Sequence, residues 1–177
     1  MTGSQTLPDT LIADRHRDLA SRRRHAQGRR ILLLVLALVP LLALANVFGQ
    51  RPTSKEVTAP PASMKLYVPD RLRTGLIYEA RFHIWAKTEL EHAALVLSPE
   101  WTEGTTFNTL EPSPVSEMSD NGRLRLELGK IEAGHDFLLF LQLQVNPTNV
   151  GRRSTDVALY DGSRRILALH RTVTIFP

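Results

Sequence analysis

The sequence predicts an all-β domain, an antiparallel sandwich of Greek-key type with about seven to eight strands, carried behind a single transmembrane helix. Three observations point there. Residues 31–48 are almost uninterrupted hydrocarbon. After them, apolar residues recur at every second position in one segment after another, the period of a half-buried strand. Gly, Asn, Asp and Pro separate those segments at roughly 8 to 15 residue intervals, as turns do. No amphipathic helix of useful length follows Phe48, and no internal repeat has the period of a propeller or solenoid.

The apolar segment comes first. Thirteen of its eighteen residues are Leu, Ile, Val or Phe, and as a helix it spans roughly 27 Å, close to the thickness of a bilayer core. Lipid offers the backbone no hydrogen-bond partners, so a spanning segment is helical. The expected helix covers residues 31–49, with Pro40 a potential kink and Pro40 and Asn46 offsetting part of the insertion energy. Ala43-Leu44-Ala45 also fits a small-residue cleavage pattern, and Arg29-Arg30 loosely resembles a twin-arginine export signal. The long head and the continuation of the apolar run past Ala45 favour a retained signal-anchor.

Charge is distributed unevenly. The net charge of +4 is already reached in residues 1–30, with seven Arg against three Asp, and the remainder balances fifteen Lys and Arg against fifteen Asp and Glu. A nucleic-acid-binding domain carries its excess positive charge on a folded surface, so no nucleic-acid partner is expected. Arg22, Arg23, Arg24, Arg29 and Arg30 instead precede the apolar segment, where basic residues set topology. The expectation is a basic cytoplasmic head (1–30), a bilayer crossing, and everything after it outside the cytoplasm, at the inner (plasma) membrane of a bacterial cell. A short head helix starting at Asp9 is the alternative to a frayed tail. The chain has no cysteine, which excludes disulfides, thiol nucleophiles and thiolate metal sites.

Residues 50–63 contain Pro52, Pro60 and Pro61 without an apolar period and read as a Pro-rich linker. The domain is then expected over 64–177. Tyr78, Ala80, Phe82, Ile84 and Ala86 alternate with Ile77, Glu79, Arg81, His83 and Trp85. The same rhythm recurs in Leu124, Leu126 and Leu128, and in Phe137, Leu139, Leu141, Leu143 and Val145. Further strands are expected over residues 64–68, 93–97, 105–110, 156–160 and 166–175. Asp120-Asn121-Gly122 and Asp161-Gly162-Ser163 mark tight reversals.

The stretches LVLSPEWTEGTTFNTLEPSP (95–114) and RLRLELGKIEAGHDFLLFLQLQV (123–145) resemble the bacterial Ig-like modules known as conserved-repeat or CARDB-like domains. Pro99 and Gly104 fall in the first of two shared turns, and residues 128–134 (LGKIEAG) match the second. The resemblance implies an Ig-like β-sandwich in which Gly129 and Gly134 permit a close edge crossover and Ile131 plugs the end of the core. It implies extracytoplasmic architecture, adhesion or presentation of other domains, and brings no active site with it. The chain departs from the pattern in having one copy, on an anchor, with Trp101 in the first turn.

Catalytic and metal-binding patterns are sparse. His16, His25, His83, His92, His135 and His170 form no paired ligand motif. Glu89 with Glu91, and Glu117 with Asp120, lack calcium-loop spacing. There is no nucleophile elbow and no phosphate-cradling glycine loop. Lys65, Lys87 and Lys130 sit at strand edges or outward positions, unsuited to a buried covalent crosslink. No cofactor and no enzymatic activity are expected. A hydrolase assembled only in space, with a buried His–carboxylate pair beside a Ser, is the minor alternative.

The outward faces are more informative. Ile77 and Trp85 on one strand and Leu138 and Phe140 on another are apolar where solvent is expected, and Trp101 sits in a turn. Together they are the candidate partner-binding residues. The expected function is a single-pass, non-enzymatic interaction or accessory subunit that binds another envelope or membrane protein. The alternative is a sensor domain for a small ligand or glycan, which a deep pocket containing Trp85 or Trp101 would favour.

Overall fold

The computed structural model describes residues 17–47 and 49–177, with side chains from Ala26 onward. The head helix considered from Asp9 lies outside the described residues. The chain divides into two units, residues 1–47 and 48–177.

Among its described residues the first unit contains one helix, α1, Arg17–Leu44. It runs through the boundary expected at residue 30, so Arg22, Arg23, Arg24, Arg29 and Arg30 are all helical. Ala, Arg, Gln and Leu are strong helix formers, and the helix runs on through Gly28 and Pro40, the two poorest formers in it. Its part from Ala26 to Leu44 is long and apolar enough to cross a membrane. The helix stops earlier than the expected residue 49. Asn46 takes φ +54°, and the Val47 amide donates to the Leu42 carbonyl at 3.0 Å while the Asn46 amide donates to the Ala43 carbonyl at 2.9 Å. This left-handed cap satisfies the last carbonyls, and Asn is the residue after Gly that enters that conformation most readily.

The second unit is built of strands β1 (Pro52–Thr58), β2 (Ala62–Pro69), β3 (Arg71–Arg73), β4 (Ile77–Ala86), β5 (Leu90–Leu97), β6 (Thr105–Glu111), β7 (Ser116–Asp120), β8 (Arg123–Ile131), β9 (Asp136–Val145), β10 (Gly151–Ser154), β11 (Val157–Asp161), β12 (Arg164–Leu169) and β13 (Thr172–Phe176). One five-stranded sheet has the order β1-β2-β4-β9-β6 and a second the order β12-β11-β5-β8-β7; β10, β13 and β3 form a small third sheet. The chain repeatedly crosses between the two large sheets, from β4 to β5, β5 to β6, β6 to β7 and β8 to β9. An all-β, sandwich-like architecture behind one apolar helix is therefore present.

Several sequence expectations need correction. The linker expected over 50–63 contains β1, which pairs antiparallel with β2 from Pro52 opposite Pro69 to Thr58 opposite Ser63. The folded domain thus begins well before Met64. Pro52 is tolerated because it opens an edge strand, where a missing N–H costs no ladder bond. Among the described residues thirteen strands replace the expected seven to eight. The additional ones, such as β1, β7 and β10, are short, polar or at an edge, and carry little apolar period to reveal them. The segment expected as one strand over 166–175 is two, broken at His170 and Arg171, because its second half leaves to join the small sheet. There β13 pairs in parallel with β3, so the domain is not purely antiparallel.

The core lies between the large sheets and follows the period-two reading closely. Phe82, Ile84, Leu139, Leu141 and Leu143 from one sheet face Leu95, Leu97, Leu126 and Leu159 from the other, all fully buried. Ile131 is buried at the end of β8, as the turn reading expected. The following turn is closed by the His135 amide, which donates to the Glu132 carbonyl at 3.1 Å, and is tied to the end of β4 by the Gly134 amide, which donates to the Ala86 carbonyl at 2.8 Å.

A polar cluster seals one end. Arg171 is buried and its Nη2 donates to the Pro69 carbonyl at 2.7 Å. Burial lowers its pKa, while the nearby Tyr78 and Asp70 oppose that shift. Tyr78 is itself buried, which pushes its phenol up to about 12 despite the Arg171 charge and a hydrogen bond with Thr105. A raised folded pKa contributes stability that is complete below the unfolded value and is lost as pH climbs toward the folded one. The expected result is a loss of about 2 to 3 kcal/mol between roughly pH 10 and 12 from this one group. Urea unfolding across that range should show the loss in the wild-type domain and a flatter profile in Tyr78→Phe; parallel profiles would assign the alkaline limb elsewhere.

Candidate functional site

Outward positions of β2, β4 and β9 fall in register and build one continuous surface. Lys65 lies opposite His83 and Tyr67 opposite Arg81 across β2 and β4. His83 lies opposite Leu138, Arg81 opposite Phe140, and Trp85 opposite Asp136 across β4 and β9. At its centre the Arg81 guanidinium is held between two rings, 5.5 Å from the Tyr67 centroid and 5.6 Å from that of Phe140. Arg81 Nε also donates to Glu79 Oε1. That hydrogen bond and the Glu79 charge raise the pKa of Arg81. Beside it, His83 Nε2 and Asp136 Oδ2 are hydrogen-bonded at 2.8 Å.

The sequence-predicted residues divide clearly. Ile77 is 51% exposed, Trp85 43% and Leu138 41%, and Phe140 is half-buried under Arg81. Trp85, Leu138 and Phe140 share the central part of the face, while Ile77 stands at its far end opposite Gln144. Trp101 does not belong to it. The indole is only 1% exposed, with its ring centroid 5.7 Å from that of Phe82 and its Nε1 donating to the Asp156 carbonyl at 3.2 Å. The short 3-10 turn of residues 99–101 folds it inward, with Pro99 pre-setting the first helical φ. A tryptophan in a turn read as exposed because turns usually are; here it fills the crossover between sheets.

Tyr67 and Arg81 were missed. Period two places both on outward faces, but only the alignment of β2 beside β4 makes them a pair. The acidic pair Glu89 and Glu91 is met by Lys130 Nζ at 3.1 and 3.7 Å, which accounts for it as a surface ion network.

A second polar group lies at the edge of the other large sheet. Asp156 Oδ2 is 3.0 Å from His170 Nδ1, and its Oδ1 accepts from the Arg171 amide at 3.3 Å and from Ser154 Oγ at 3.2 Å. Partial burial tends to raise the Asp156 carboxyl, but the hydrogen bonds from His170, the Arg171 amide and Ser154 prevail and hold it below the usual carboxylate range. The trio has the composition of a hydrolytic triad without its order. Ser154 donates to the carboxylate, whereas a triad needs the hydroxyl on the imidazole.

No family model and no curated protein sequence matches the chain. Among solved structures it is similar to the human F-spondin reeler domain, at 16% identity over 62% of this chain and 90% of that one, with a TM-score of 0.42. AvmM, which catalyzes macrocyclization in alchivemycin A biosynthesis, is similar at 7% identity over 73% and 90% of the two chains, with a TM-score of 0.42. The third cohesin ScaC of Acetivibrio cellulolyticus, solved with the ScaB dockerin, is similar at 10% identity over 59% and 92%, with a TM-score of 0.39. These are loose likenesses of backbone trace, and none assigns a site to this chain.

Proposed function

We propose that this chain is a single-pass, membrane-anchored, non-enzymatic interaction subunit whose Ig-like domain lies outside the cytoplasm and binds another envelope or membrane protein through the outward face of β2, β4 and β9. One observation carries the reading: Arg81 clamped between Tyr67 and Phe140, with Trp85 and Leu138 exposed beside it. Trp, Tyr and Arg are the residues that dominate binding energy at protein interfaces, where they act as large, laterally supported anchors. The clamp fixes Arg81 before any partner arrives, so little side-chain entropy remains to be lost on docking.

The anchor supports the same reading. An apolar segment preceded on the same helix by Arg22, Arg23, Arg24, Arg29 and Arg30 favours a cytoplasmic N-terminus and a bilayer as its solvent. Only residues 45–51 separate α1 from β1. Such a tether confines the domain near the membrane and raises its effective concentration toward other membrane proteins, so modest intrinsic affinity suffices. The resemblance of residues 95–114 and 123–145 to conserved-repeat modules is consistent with presentation or adhesion, and supplies the Ig-like assignment.

Crosslinked pull-down from native membranes tests the proposal. The double variant Trp85→Ala/Phe140→Ala is expected to recover its specific partner at least tenfold less than wild type, since central anchors each contribute about 2 kcal/mol or more. Both side chains lie off the core, so the melting curve should remain close to that of wild type. Undiminished recovery of the partner, with the fold intact, removes this face from consideration. Protease added outside intact cells should digest the domain; full protection would reverse the orientation.

A further inference from the structure

The outer face of the second large sheet is dished. Val96, Ala158 and Ala168 stand side by side on β5, β11 and β12, with Val96 opposite Ala158 and Ala158 opposite Ala168. Three small side chains in one row leave a depression of about 350 Å³, bounded by Tyr160 and Arg165 at one end and by Glu100, Arg123, Asp156 and His170 at the other. Tyr160 is braced by the Arg125 guanidinium, 5.5 Å from its ring centroid, and Arg125 is tied to Glu127 Oε1 at 2.5 Å and to the Gly162 carbonyl at 2.8 Å. The wall is therefore rigid, while Arg165 and Arg123 have no ion-pair partner among the described residues.

The chemistry of the two ends differs. One end offers an aromatic ring and a free guanidinium. The other offers carboxylates of Glu100 and Asp156 together with the Arg123 guanidinium. Carboxylates accept hydrogen bonds from hydroxyls, and guanidinium donates to them. An apolar ligand would leave the Glu100 carboxylate desolvated and unpaired, and a ligand charged negatively throughout would be repelled at that end. A hydroxyl-rich ring bearing one acid group satisfies both ends and lies on the apolar floor between them.

We propose that this depression binds a carboxylated sugar, with its acid group on Arg165 beside Tyr160 and its hydroxyls toward Glu100, Asp156 and Arg123. The site uses a different sheet from the partner-docking face and does not depend on that reading. A single sugar ring has few atoms with which to bind, so a dissociation constant on the order of millimolar is expected.

Saturation-transfer difference NMR on the full chain in nanodiscs, titrated with glucuronate, glucose and acetate, tests the assignment. Glucuronate is expected to bind at about millimolar concentration, and glucose and acetate at least fivefold more weakly. Arg165→Gln should reduce glucuronate to the level of glucose, and Ala168→Leu, which fills the floor from an outward position, should abolish saturation transfer. Trp85→Ala should leave the signal unchanged. Absence of glucuronate binding up to about 50 mM, well above the millimolar expectation, overturns the proposal. So does equal binding of glucose, or wild-type binding by both Arg165→Gln and Ala168→Leu.

Discussion

Replacing Trp101 by alanine is expected to destabilise the domain by about 3 to 5 kcal/mol, the range for removing a fully buried aromatic side chain. The indole occupies the turn through which the chain passes from β5 in one large sheet to β6 in the other. It packs tilted against Phe82, at 50° between ring planes, and its N–H is satisfied by the Asp156 carbonyl. Alanine leaves a cavity between the sheets and frees that carbonyl from its side-chain partner. Because the turn is held at its ends by backbone bonds, such as the Trp101 amide to the Ser98 carbonyl at 3.1 Å, it has little freedom to collapse into the gap. Trp101→Phe keeps much of the contact with Phe82 and loses the N–H, so its cost should be smaller, about 1 to 3 kcal/mol. Urea denaturation of both variants provides the measurement. A Trp101→Ala midpoint within experimental error of wild type would mean that the indole is not a core wedge.

Arg171→Met should cost a comparable amount, about 3 to 5 kcal/mol, for an electrostatic reason. Arg171 joins the small sheet to the corner between β2 and β3 through its bond to the Pro69 carbonyl. Asp70, in that corner, keeps one carboxylate oxygen, Oδ1, buried without a hydrogen-bond partner among the described residues. The Arg171 charge is what stands nearby to compensate it. Methionine preserves most of the apolar stem but removes the donor and the charge together, leaving a buried acceptor and an uncompensated carboxylate. The reading makes a second demand. Asp70→Asn alone should be mildly destabilising, and the double variant should cost less than the sum of the two single changes by about 1 kcal/mol or more, because its members share one interaction. Strict additivity in the double-mutant cycle would mean that Arg171 acts through its hydrogen bond alone.

How legible these features were differs from residue to residue. Phe82, Ile84, Leu139 and Leu141 announced their burial through alternation, because neighbouring side chains on a strand point to opposite faces whatever the rest of the fold does. β1 gave no such signal. Its residues are mostly exposed along an edge, with Val57 packed against the core, so its pairing with β2 rests largely on backbone hydrogen bonds. Trp101 was misplaced because the direction of a side chain in a 3-10 turn depends on what lies beneath it. In the candidate site, Trp85, Leu138 and Phe140 were recognisable as apolar residues on outward positions, whereas Tyr67 and Arg81 joined them only through strand order.

The sequence alone determined the apolar helix, its basic flank and the division of each long strand into an inner and an outer face, since hydrocarbon length, charge and the two-residue period are local properties. The tertiary structure decided which strands became neighbours. That choice closed two rings around Arg81, drew Trp101 inside, and aligned Val96, Ala158 and Ala168 into a hollow. Contacts between residues far apart along the chain are set by how the sheets pack their shared core, and local pattern carries no record of that partner choice.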